Sequence, residues 1–243
     1  MILNIVNLGL IEYKAALDLQ YALLEKRKRN EIGSTLLLLE HPHVLTLGKR
    51  GSREHICADI LELKKLDIPV IEVNRGGDIT YHGPGQIVGY AIFHASDFDR
   101  DITGFVKNIS SALIELLKQS YGIEARAERG KFAGVWVGEK KIAAIGIAIV
   151  DSVTMHGFAF NVNTDLEYFD MINSCGLSKG VTSIKELTGK KADMKKVCRD
   201  TAEYFARAFG CETRQVSIED LLAGSKPNEY RDGGAIWEIS PNG

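Results

Sequence analysis

The stretch RGGDITYHGPGQ, Arg75 to Gln86, holds four glycines, a proline, an arginine and a histidine in twelve residues. Strand-like sequence flanks it on both sides, PVIEVNR before and QIVGYAIF after, so it reads as a loop joining two strands. Glycines in that setting let a ligand or another backbone come close. Pro84, between Gly83 and Gly85, stiffens the turn. The stretch lacks the G-x-x-x-x-G-K-[ST] of a phosphate loop and the G-x-G-x-x-G that opens a helix. A strand follows it, so no helix N-terminus is aimed at a phosphate. A bare hairpin needs fewer glycines than this. A substrate loop accounts for them, with Arg75 and His82 giving polar contacts at its two ends.

The chain around the loop alternates between the two periods of regular structure, without a regular order. Residues 2–8 and the runs STLLLLEH, VLTLG, GIEARAER, AGVWVG, KIAAIGIAIV and SVTMHGFAFNVN read as strands. GEKK reads as a hairpin turn, with Gly138 supplying the permissive dihedral. Helical spacing runs from Ile11 to about Arg29, with Tyr13, Leu17, Tyr21 and Leu24 on one face. It runs again from Thr103 to Ser120, where Phe105, Ile109, Leu113 and Leu116 align. ADMKKVCRDTAEYFARAFG is a third helix, with Met194, Val197, Thr201, Phe205 and Ala208 on one stripe. ADILELKKLDI, ended by Pro69, and DLEYFDMI read as short helices. The mixture predicts an α/β (α+β) fold with a mixed sheet flanked by helices, not a barrel or a doubly wound sheet. With no long linker and no repeat, one domain over residues 1–243 is expected, loosely ordered from about Ser225.

Composition removes several function classes. The net charge is -2, which argues against a general electrostatic binder of nucleic acid. No apolar run approaches a membrane span, and the first residues, MILNIVNLGLIEY, lack the basic start of a signal peptide. A cytosolic protein is expected. The four cysteines, Cys57, Cys175, Cys198 and Cys211, form no C-x-x-C pair, so neither a zinc knuckle nor a thioredoxin-type site is expected.

Cys175 follows Asn173-Ser174 and precedes Gly176, a loop context that leaves a thiol reachable. A thiolate needs a depressed pKa, and a nearby ammonium supplies one. Lys140 and Lys141 open an otherwise apolar strand, and strand alternation sends them to opposite faces. Spacing does not say which faces a cleft. A Cys-His pair with His82 or His156 as base is a competing arrangement. Cys198 lies on the apolar stripe of its helix and reads as core.

Four stretches together resemble the lipoyl(octanoyl) transferases. RGGDITYHGPGQ matches that family's R-G-G-x-x-T-Y-H-G-P-G-Q signature, and EHPHVLTLG its E-H-P-x-x-x-T-L-G. GVWVGEKKIAAIG is similar to the segment whose catalytic lysine directly precedes I-A-A-I-G, which falls on Lys141. MHGFAFNVNTDLEYFDMINSCG is similar to the segment ending at the catalytic cysteine, which falls on Cys175. The match covers roughly residues 35 to 190. Where the family usually has proline before the cysteine, Ser174 stands here.

The resemblance implies the mixed sheet of biotin and lipoate protein ligases. It implies octanoyl transfer from octanoyl-acyl carrier protein to a lysine of lipoyl domains, through a thioester on Cys175. The lipoyl domains are those of 2-oxoacid dehydrogenase acyltransferase subunits and of glycine cleavage H protein. It implies a monomer, with no cofactor and no metal. The acyl tunnel would be walled by Arg75, Gly76, Gly77, Asp78, Ile79, Thr80, Tyr81 and His82 on one side. Ala144-Ile145-Gly146 and Gly157-Phe158-Ala159 would form the others. An ATP-dependent lipoate or biotin ligase on the same fold is the alternative. Because both protein partners are usually acidic, a basic docking face is expected. EKRKRN and GKKADMKKVCR are candidates, and solvated helix ends explain each equally well.

Overall fold

The computed structural model describes residues 1–173 and 180–223. Ser174, Cys175 and the stretch from about Ser225 therefore lie outside the described residues. In chain order the main elements are β1 (Ile2–Leu10), α1 (Tyr13–Lys28), β2 (Thr35–Glu40), β3 (Val44–Leu47), α2 (Ile60–Lys65), β4 (Val70–Glu72), β5 (Ile79–His82), β6 (Gln86–Ile92), α3 (Ile102–Tyr121) and β7 (Arg126–Glu128). β8 (Gly134–Val137), β9 (Lys140–Val150), β10 (Val153–Asn161), α4 (Ile184–Thr188), α5 (Met194–Ala208), β11 (Glu212–Gln215) and α6 (Ile218–Leu222) complete them.

Eight strands form one sheet in the order β11-β1-β2-β6-β10-β9-β8-β7. β1 runs parallel to both of its neighbours, and the other pairings are antiparallel. The sheet is therefore mixed and flanked by helices, as the element pattern predicts. Its central strands are apolar on both faces because both faces are covered. In β2, Leu36 and Leu38 enter a core with Phe105, Leu113 and Phe205 from α3 and α5. Leu37 and Leu39, one residue out of phase, meet Leu17, Leu23 and Leu24 of α1 on the other face. That is why STLLLLEH shows no alternation. No helix among the described residues is long and apolar enough to cross a membrane.

A second sheet, β4-β3-β5, packs its own apolar cluster of Leu45, Leu63, Tyr81 and Phe169. Its third strand corrects the reading of RGGDITYHGPGQ as a simple loop between two strands. Ile79–His82 is a strand paired with β3, and the strands before and after the motif belong to different sheets. Only the residues on either side of β5 are loop, and the motif carries the chain from the small sheet to the large one.

Two contacts explain local choices that apolar pattern does not. The basic end of α1 is not a free face. Arg27 donates to both Asp97 oxygens at 2.8 and 2.9 Å, Lys28 to Asp151 at 2.8 Å, and Lys26 to the Ala223 carbonyl at 2.8 Å. Arg27 and Asp97 are nearly buried, and Ser34 donates to the same carboxylate, so this pair fastens α1 to the segment after β6. At the sheet centre, the Phe158 ring lies over Gly89. A Cβ on Gly157 would stand 2.1 Å from the Gly89 carbonyl oxygen.

Backbone cannot yield as a side chain can. Gly157→Ala is therefore expected to lower unfolding stability by about 1–3 kcal/mol, read from the urea midpoint. An unchanged midpoint would show that β6 and β10 can separate freely.

Candidate active site

A cavity of about 380 Å³ opens between the small sheet and β9–β10 of the large one. The motif docks directly on the large sheet, with the Gly76 N–H donating to the Ile147 carbonyl at 2.9 Å. A Cβ on Gly146 would come within 2.7 Å of the Gly76 oxygen, so the small residues of β9 are what permit this approach.

The structure brings most of the expected wall residues together. Arg75, Gly76, Gly77, Asp78, Ile79, Thr80 and His82 line the cavity, as do Ala144, Ile145, Gly146, Gly157, Phe158 and Ala159. Tyr81 does not. It points away, fully buried in the small-sheet cluster, where it stacks on Tyr168 and its hydroxyl meets His43 Nδ1 at 2.9 Å. Strand alternation sets Tyr81 opposite its neighbours Thr80 and His82, while Ile79, on Tyr81's side, joins both the small-sheet cluster and the lining from the start of β5.

Lys141 lines the cavity and Lys140 does not. Lys140 is exposed and pairs with Glu186 at 2.9 Å. Lys141 is half-buried, with its ammonium 5.1 Å from the centre of the Trp136 ring. Burial lowers its pKa to about 8, because the charged form loses water. Its backbone accepts from Thr182 N–H at 2.9 Å and donates to the Gly180 carbonyl at 3.2 Å. On the other side of the undescribed residues, Asn173 N–H donates to His55 at 2.7 Å. The described residues that flank Cys175 in sequence, Asn173 and Gly180, thus bond to His55 and Lys141.

The floor of the cavity is polar and buried. The Arg75 guanidinium donates to Thr46 Oγ1 at 2.8 Å, to the Thr46 carbonyl at 2.7 Å and to the Gly76 carbonyl at 3.1 Å. His82 Nδ1 donates to Gln86 Oε1 at 2.8 Å, Gln86 donates to Asn161 at 3.0 Å, and Asn161 donates to the Thr182 carbonyl at 3.1 Å. This chain of bonds joins the glycine motif to the residues returning toward Lys141. His156 holds Asn74 Oδ1 at 2.6 Å and sits at φ +59 in the middle of β10. That backbone is costly for a non-glycine residue and marks positions that surrounding structure over-determines.

Both candidate histidine bases are held neutral. Burial, with the Arg75 charge nearby, lowers His156 to about 3 and pushes His82 well below the ordinary range. A base of that strength is poorly matched to neutral pH, whereas Lys141 is close to it. Cys198 is half-buried at the Asn7 side chain, 3.0 Å from its Oδ1, where burial raises the thiol to about 11.

Sequence reasoning missed several lining residues. Tyr13 stands out only as one residue of a helical face, Val88 and Tyr90 only as part of the strand QIVGYAIF, and Gln86 as the end of a motif. Lys49 and Arg50 follow VLTLG and Lys131 precedes AGVWVG, yet nothing in spacing brings them to one opening.

Comparisons with known proteins give the family and the fold. The family model described as lipoyl protein ligase A/B catalytic domain matches residues 12–206. A protein of Caldicellulosiruptor saccharolyticus named octanoyltransferase is 50% identical over 91% of this chain and 94% of its own length. One of Desulforamulus reducens with the same name is 46% identical over 91% of this chain and 97% of its own. Among solved structures, a lipoate-protein ligase A bound with ATP superposes with a TM-score of 0.70 at 18% identity, covering 90% of this chain and 91% of that one. The bipartite lipoate protein ligase of Thermoplasma acidophilum gives 0.69 at 18% identity, covering 91% of each chain. These two establish a shared fold.

The site geometry makes one direct prediction. A ¹³C NMR titration of the lysine side chains should show Lys141 inflecting near 8. An inflection near the ordinary lysine value, about 10.4, would mean that its amine reaches solvent.

Proposed function

This chain belongs to the lipoyl protein ligase A/B catalytic-domain family, and from that premise we propose that it is an octanoyl-acyl carrier protein:protein N-octanoyltransferase. Acyl transfer of the lipoyl and octanoyl type is common to its relatives. The observation that carries the finer reading is the half-buried Lys141 amine, set in the cavity walled by the glycine motif with its pKa lowered to about 8.

In the proposed cycle the Cys175 thiolate attacks the thioester carbonyl of octanoyl-acyl carrier protein. A new C–S bond forms, the old one breaks, and the carrier leaves as its thiol, taking its proton from the Lys141 ammonium, which is left neutral. Exchange of one thioester for another is near balance, so no ATP is consumed. The octanoyl tail lies against backbone at Gly76, Gly77 and Gly146, which line the cavity. A lysine of a lipoyl domain then attacks the acyl-enzyme. The C–S bond breaks, an amide forms, and the amine's proton passes to Lys141. The acceptors are lipoyl domains of 2-oxoacid dehydrogenase acyltransferase subunits and glycine cleavage H protein, and the enzyme acts as a monomer.

Lys141 serves both halves because its pKa lies just above neutrality. Mostly protonated at pH 7, it favours the Cys175 thiolate in the first step. Once the sulfur is acylated, neutral Lys141 accepts the proton in the second. The sign follows: the amine is neutral above its pKa, so transfer from preformed acyl-enzyme should rise as pH climbs through about 8. In Lys141→Met that inflection should vanish. An inflection that survives would assign the base elsewhere.

The decisive experiment is intact-protein mass spectrometry after mixing with octanoyl-acyl carrier protein without ATP. Wild type should gain one octanoyl group, Cys175→Ser should gain none, and Lys141→Ala should acylate slower by about 10²–10⁴-fold. No adduct on wild type, with transfer only from free octanoate plus ATP, would make the protein an adenylating ligase.

A further inference from the structure

The opening of the cavity carries a group of cations that the reaction above does not use. Lys49 and Arg50 occupy the two central positions of a tight turn, closed by Gly51 N–H donating to the Gly48 carbonyl at 2.8 Å. Both side chains are exposed, and both residues line the cavity. The turn is held in place. Gly48, Lys49 and Arg50 N–H groups donate to the carbonyls of Asp78, Arg75 and Gly77 at 3.2, 3.0 and 3.0 Å. The fit is close enough that a Cβ on Gly48 would stand 2.6 Å from the Gly77 oxygen. Lys131, exposed and carried on a different segment of chain, lines the same cavity.

These cations differ from the basic end of α1 and from Lys196. The α1 end is consumed by Asp97, Asp151, Glu25 and Glu31, and Lys196 of α5 by Asp200. Among the described residues no carboxylate pairs with Lys49, Arg50 or Lys131. Asp78, the carboxylate in the lining, already accepts from His55 Nδ1 and Ile79 N–H, each at 2.7 Å. Three cations thus converge on one opening in a chain of net charge -2.

We propose that the Lys49-Arg50 turn, with Lys131, binds the phosphate of a phosphopantetheine-linked acyl donor. The proposal rests on the transfer reading above and specifies how the donor is recognised. The order of groups along the donor argues for it. The acyl tail fills the slot and the thioester meets Lys141. The pantetheine arm then leads out, and its phosphate comes last before the carrier protein. Cations at the rim therefore meet the phosphate, not the reacting carbon. A turn pinned by backbone bonds presents them with little ordering cost, and charge-assisted contacts to phosphate are the strong kind.

The test compares octanoyl-phosphopantetheine with octanoyl-pantetheine, which lacks the phosphate, as donors to the whole protein. Formation of acyl-enzyme is followed by mass. Wild type should prefer the phosphorylated donor in kcat/KM by about tenfold, a preference falling with added salt. The double charge reversal K49E/R50E should abolish or invert that ratio, and the neutral K49Q/R50Q should reduce it. K131E should reduce it in part. K195E, on α5, makes one such charge reversal away from the cavity lining and should leave it intact. Equal rates for the two donors in wild type, or a preference that survives K49E/R50E and K49Q/R50Q, overturns the phosphate site and leaves octanoyl transfer standing. Loss of the preference in K195E as well assigns it to overall charge and overturns the site too. No acyl-enzyme from either thioester overturns the transfer reading and the site with it.

Discussion

The guanidinium of Arg75 is the constraint around which the site is arranged. Its charge is buried, and among the described residues it donates only to neutral oxygens, those of Thr46 and Gly76. A charge so placed survives only where hydrogen bonds replace the lost water. Here they also tie β3 to the start of the glycine motif and fix where that motif meets β9. The same charge acts at a distance. It helps keep His82 and His156 neutral, so the polar floor holds hydrogen bonds without holding protons. Gly48, Gly77 and Gly146 all stand close to this side chain, and a Cβ on Gly48 would lie 2.8 Å from one of its nitrogens. Part of the motif's glycine content is room for arginine, in addition to room for substrate.

Much of the fold is written in hydrophobic period. The long helices and the central strands bury whole faces, so their patterns are strong. The elements that escape pattern are those with little to bury. β11 is exposed along its length and α4 and α6 have five residues each, so no period develops. β5 is hidden for another reason. Its four residues lie between glycines, and the conspicuous composition reads as loop.

The site divides in the same way. Motif residues announce themselves because backbone approach demands glycine. Choosing Lys141 over Lys140 needs the facing of β9, including the register shift opposite Val135 and Trp136, which spacing does not supply. Charge patches are the least legible. EKRKRN looks like a free basic face, yet the carboxylates that occupy it lie 70 and 123 residues away along the chain. The GKRG turn looks unremarkable, yet it keeps its charge available.

The pairing at one edge of the large sheet has a consequence for how the chain is made. β1 is made before the other described strands, and Ile2 to Ile5 pair in parallel with Glu212 to Gln215. During translation β1 can acquire β2 early, but its outer side waits until nearly the whole described chain has emerged. Closing so distant a pair is entropically slow, and an open strand edge invites pairing with other chains. The late strand is polar and charged, ETRQ, so it completes the sheet without adding an apolar surface of its own. Between the synthesis of β1 and that of β11 the nascent chain therefore carries an open edge, and the step that ends this exposure depends on residues far from the chemistry.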